Sequence, residues 1–143
     1  MYKNTAGYAD PTAGEAMSRV MREYKKKQRE IWKKQYELKN RPKVYVVSKY
    51  AGDVKNNVAD AITYCRFVIE KGKIPVASHL LYPRMLDDSN PTERELGTMF
   101  GLALLAMCDE VWVFGKERSS GMEQEIKEAK KLGKKVRYVK EVS

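Results

Sequence analysis

The chain has a single histidine and two cysteines, and it contains no CxxC, HExxH or paired-histidine pattern. Zinc chemistry therefore has no visible ligand set, and neither a metal nor a cofactor is expected. Cys65 and Cys108 lie far apart among apolar neighbours and read as small core residues rather than a disulfide. No stretch approaches the roughly 18 consecutive apolar residues of a membrane span. The first residues also lack the apolar segment of a secretory signal. Membrane insertion and secretion are thus disfavoured, and a cytoplasmic location is expected. Internal repeats and low-complexity segments are absent as well.

Negative charge is scarce at one end. Residues 1–43 carry 12 Lys and Arg against 5 Asp and Glu, whereas residues 44–143 carry 16 against 14. The net charge of +9 thus belongs mostly to an N-terminal arm attached to a nearly neutral domain. Two organisational units follow, a basic and mostly helical arm over residues 1–42 and an α/β domain over 43–143. Such an arm can contact nucleic acid or an acidic partner, or it can be a solvated helix face.

Residues 1–9 show no helix or strand pattern and are expected to be disordered. Asp10-Pro11-Thr12 then offers a capping residue followed by proline at the first helical position. Met17, Val20, Met21 and Tyr24 form an apolar stripe at helical spacing, continued loosely through Ile31 and Trp32. A helix over about 11–38 would be roughly 40 Å long at 1.5 Å per residue. That exceeds the width of the remaining domain, so part of it must project, kink or pack on another subunit; with the apolar stripe, a homo-oligomer formed through this helix is expected. Asn40-Arg41-Pro42 ends it.

Beyond Lys43 the rhythm alternates. Strands are expected at Val44–Val47, Ile74–Ala77, Glu110–Phe114 and Val136–Val139. Helices are expected at Val54–Glu70, from Asn90-Pro91 to about Met107, and at Ser120–Leu132. Residues 79–90 read as a long irregular loop. Near-continuous apolar strands separated by helices indicate a parallel sheet covered on both faces. The expected fold is a doubly wound, Rossmann- or flavodoxin-like α/β domain with four parallel strands in the order 2-1-3-4. Ligands on such sheets bind beyond the carboxyl ends of the strands where the order switches, here between the first and third strands.

The loops at that switch supply the candidate site. After the first strand come Ser48, Tyr50 and Gly52; Tyr50 could stack on a base, or simply be a half-buried loop aromatic. After the third strand come Gly115 and then Ser119-Ser120-Gly121-Met122-Glu123, a polar loop running into a helix start. Free N–H groups and the positive end of the helix dipole suit an anionic or sugar-phosphate ligand there. Glu123 could act as a nucleophile or general acid/base, although Glu is also an ordinary helix-start residue. His79 follows the second strand. Asp87 and Asp88 lie in the long loop, which has the length of a lid. Arg94 and Glu95 open the next helix, where an Arg could meet a phosphate.

The region Lys43–Val139 resembles the nucleoside 2-deoxyribosyltransferase-like superfamily, and within it the small bacterial and phage proteins of the DUF4406/DUF7768 type. The residues carrying the resemblance are Val46-Val47-Ser48-Lys49-Tyr50-Ala51-Gly52, Pro75-Val76-Ala77-Ser78-His79-Leu80-Leu81-Tyr82-Pro83, Glu93-Arg94-Glu95-Leu96-Gly97 and Ser120-Gly121-Met122-Glu123. In the transferases a Gly-Met-Glu segment supplies the glutamate that attacks C1′ of deoxyribose, and Glu123 is the matching position. Their base-handling Asp would fall near Gly101, which has no carboxylate; Asp88 and Glu95 are the nearest alternatives. The resemblance implies a nucleoside or nucleotide ligand and N-glycosidic bond chemistry, by hydrolysis or transfer. The alternative is a module that binds a nucleotide-like ligand without turnover while its arm contacts a partner or nucleic acid.

Overall fold

The computed structural model describes residues 11–142; the expected disorder of residues 1–9 and the Asp10 cap lie outside the described residues. The chain divides into two compact units after Asn40. The described part of the first is helix α1, Pro11–Lys39. Its end is closed by Asn40, whose side-chain amide donates to the Tyr36 carbonyl at 2.7 Å.

The second unit runs β1 (Lys43–Val47), α2 (Val54–Glu70), β2 (Ile74–Val76), α3 (Pro91–Met107), β3 (Glu110–Phe114), α4 (Ser120–Lys131) and β4 (Lys135–Val139). All pairings are parallel and the order is β2-β1-β3-β4, as the strand–helix alternation predicts. β1 and β3 pair over Val44–Val47 against Glu110–Val113. The irregular loop between β2 and α3 contains two single turns of 3-10 helix, Ser78–Leu80 and Tyr82–Arg84. Local hydrogen bonds such as Leu81 N to Ser78 O at 3.0 Å give this loop a defined shape.

Alternation along the central strands builds a core on each face. Tyr45, Val47, Val111 and Val113 pack against Leu105 of α3 and Met122, Ile126 and Ala129 of α4. Val44, Val46, Trp112 and Phe114 pack against Phe67 and Val68 of α2. Helix ends follow from local chemistry. Asn90 caps α3, its side chain accepting from Thr92 N at 3.0 Å and Glu93 N at 3.4 Å. Gly72 and Gly133, at φ 78° and 70°, take the left-handed position after α2 and α4 that a side chain would disfavour.

Asp109 and Glu110 tie the amino ends of the strands together. Asp109 accepts the Lys43 N–H at 2.8 Å. Glu110 meets Lys73 at 3.0 Å and Lys135 at 3.9 Å. Burial alone would raise the Glu110 carboxyl, but these partners and the Trp112 indole hold it below its usual range. Cys108 is buried and Cys65 partly so; both thiols are free, and burial pushes each up to about 11, which keeps them protonated.

Candidate active site

At the carboxyl edge of the sheet, on the face covered by α3 and α4, lies a cleft of about 170 Å³. Tyr50 comes from the loop after β1, and Ser78 and His79 from the turn after β2. The loop ahead of α3 adds Tyr82, Pro83, Leu86 and Asp88, and α3 adds Glu93, Arg94, Gly97, Thr98 and Gly101. The start of α4 closes it with Gly121, Gln124 and Glu125.

Glu125 is the group sequence reasoning missed. It stands three residues after Met122 and four before Ala129, both buried, so helical spacing turns it toward the sheet. Its Oε2 is shielded from solvent and has no hydrogen-bond partner among the described residues. Burial pushes its carboxyl up to about 7, offset in part by the Tyr45 phenol beside it. Tyr45 Oη and Ser78 Oγ are 2.6 Å apart, and burial followed by the Glu125 charge raises the phenol's pKa, keeping it a neutral hydroxyl. A carboxylate poised near neutrality in a cleft is the kind of group that does proton or nucleophilic chemistry. The available signal was a Glu on the apolar face of an amphipathic helix.

His79 is held from behind. Its Nε2 lies 2.8 Å from Ser48 Oγ, and Ser48 is buried below the cleft wall. Burial lowers the imidazole to about 4, so it is neutral at physiological pH. Gly101 permits the approach of α3 to this floor: an added Cβ would stand 3.1 Å from Ser78 Oγ and 3.3 Å from Tyr45 Oη.

Of the residues singled out from sequence, Tyr50, His79, Asp88, Arg94 and Gly121 line the cleft. Arg94 is tied to the loop ahead of its helix, its Nε donating to the Asp88 carbonyl at 3.0 Å. Ser48 acts behind His79. Glu123 lies outside: it is exposed and pairs with Arg118 at 3.7 Å, because two residues of helix separate its direction from that of Glu125. Glu95 is exposed and also outside, whereas Glu93, two residues earlier, faces in. Gly115, at φ 91°, borders a separate depression with Lys49, Asp60 and Tyr64. Gly52 and Ser120 are exposed and line no part of the cleft. Ser119 is the α4 cap, accepting Met122 N at 3.3 Å, and Met122 is core. Among the described residues no group of three His, Cys, Asp or Glu could hold a metal ion. No helix there is long and apolar enough to cross a membrane.

Comparisons with known proteins show the family and the fold. Residues 42–139 match the model of a domain of unknown function, DUF7768. A 2-deoxyribosyltransferase from the psychrotolerant bacterium Bacillus psychrosaccharolyticus has a similar structure, with a TM-score of 0.54 and 16% sequence identity over 67% of this chain and 70% of that one. A comparison with curated proteins gave no match.

Proposed function

The chain belongs to the DUF7768 family and has a 2-deoxyribosyltransferase-like fold; from that premise we propose that it cleaves the N-glycosidic bond of a nucleoside or nucleotide, with Glu125 as nucleophile. The observation that carries this reading is the solvent-shielded, unpartnered Glu125 oxygen at the floor of the cleft. Ionised Glu125 attacks C1′ as the C1′–N bond breaks, and the departing base takes the bonding pair. The departing base takes its proton from water, which Asp88 and Glu93 on the cleft wall can position. The glycosyl ester on Glu125 is then opened at C1′ by water, giving hydrolysis, or by a second base, giving transfer. Tyr45 and Ser78 orient the carboxylate, and neutral His79 offers a fixed polar edge to the ligand. The cleft is small beside the roughly 300–1,000 Å³ of drug-sized sites, which suits one ring-sized group rather than a dinucleotide.

The test measures free base released from a panel of ribo- and deoxynucleosides and their monophosphates. Glu125→Gln should lose at least about 100-fold in kcat while remaining folded. Glu123→Gln should stay near the parent. For the parent, kcat/KM should rise with pH through about 7 as the carboxylate ionises. An active parent with an equally active Glu125→Gln variant removes Glu125 from the mechanism. A parent silent on the panel, yet stabilised against heat by one nucleotide, is a binding module.

A further inference from the structure

Side-chain character along helix α1 follows a heptad spacing, without any repeated sequence. Met17, Tyr24, Ile31 and Leu38 recur at one position of the heptad, and Met21, Gln28 and Gln35 recur four residues on. These are the d and a positions of a coiled-coil seam. Glu23, Glu30 and Glu37 also recur at seven, as do Arg19, Lys26 and Lys33, but on the opposite face, where oppositely charged residues three and four apart support a solvated helix. The seam is uncovered: Met17, Tyr24, Ile31 and Leu38 are 40%, 58%, 49% and 42% exposed. A lone amphipathic helix gains most of its stability from burying such a stripe, so the pattern calls for a partner.

Charge beside the seam selects which partner. The flanking e and g positions hold Lys25, Lys27, Lys34 and Lys39, with the exposed Val20 and Trp32 among them, and no carboxylate; every acidic residue of Thr12–Lys39 lies elsewhere on the helix. A second copy of α1, parallel or antiparallel, would set lysine flank against lysine flank. Flanking charges decide coiled-coil pairing, and like charges disfavour self-association. We propose that α1 docks an acidic amphipathic helix of another protein, forming a coiled coil whose apolar seam is closed by Lys25, Lys27, Lys34 and Lys39 against carboxylates. The glutamines at the two C-terminal a positions set the register, since polar groups at a favour one alignment at some cost in stability.

The probe is a synthetic four-heptad peptide with Leu and Ile in its seam, Gln opposite Gln28 and Gln35, and Glu at every e and g position. It is titrated against the full-length protein and followed by fluorescence anisotropy and sedimentation. A stoichiometric complex is expected, weakened by salt. Reversing the four flanking lysines to Glu should reduce affinity by roughly 10-fold or more and transfer preference to a peptide with Lys at e and g. Ile31→Ser should weaken binding with the charges intact. Four results would each overturn the proposal: no complex with the acidic peptide, equal binding of a scrambled peptide of the same composition, self-association of the free protein through α1, or tighter binding to single-stranded oligothymidylate than to the peptide.

Discussion

Two buried ionisable residues of the cleft act on stability in opposite directions. Folded Glu125 titrates near about 7, against about 4.5 when unfolded. Below the lower value both states are protonated and burial costs nothing. As pH rises through the window the unfolded chain releases its proton first, so stability falls, by up to about 3 kcal/mol at neutral pH and above. Glu125→Gln should therefore raise the urea midpoint at pH 8 and leave it nearly unchanged at pH 4.5, while activity falls. His79 behaves in reverse. Its folded value of about 4 lies below the ordinary 6.5, so its contribution is present above pH 6.5 and is lost as pH falls toward 4. His79→Asn should flatten that acid-side loss in the same urea series. Gly101 yields a steric prediction. Gly101→Ala forces the Tyr45–Ser78 pair to give by a few tenths of an ångström, so kcat should fall more than stability, which helix propensity partly restores by about 1 kcal/mol. Equal activity of parent and variant would mean the pair is free to move.

Elements were legible where period and punctuation agreed. α3 is an example: Asn90 and Pro91 mark its start, and the structure begins it at Pro91. β1 and β3 were legible because central parallel strands are apolar on both faces. The turns within 78–84 were not, because short 3-10 segments depend on backbone contacts of the folded loop rather than on a repeating pattern. The site was half legible. Loop position at the strand ends found Tyr50, His79 and Asp88, but a motif read residue by residue stopped at Glu123. The phase of α4, set by Met122, Ile126 and Ala129, turns Glu125 inward instead. Similarly, the sequence pointed to Glu95, but the folded helix turns Glu93 to the cleft and leaves Glu95 exposed, and only the helix phase shows this. Since α3 positions Glu93 and Arg94 by its first turn, its cap bears on function. Asn90→Ala should cost about 1 kcal/mol in denaturant unfolding and weaken nucleotide binding, as two N–H groups lose their acceptor.

At the scale of the molecule, the residues of both core clusters lie within 44–142, so the α/β unit should not need the arm. A chain beginning at Arg41 should melt within a few degrees of the full protein, keep the base release proposed above and lose affinity for the acidic peptide; calorimetry, the base-release assay and the peptide titration check each. A collapse of its melting transition would show that α1 supports the core. Within the unit, the sheet separates two kinds of residue. The amino ends of the strands carry Asp109 on the Lys43 amide and Glu110 between Lys73 and Lys135. The carboxyl ends carry the loops around the cleft. Changes at the cleft therefore need not pass through the contacts that fix strand register. Lineages of this fold can explore new ligands by rewriting one rim of the sheet, and a designer can vary Tyr50, Thr98 and Gln124 without touching Asp109, Glu110, Lys73 or Lys135 on the other.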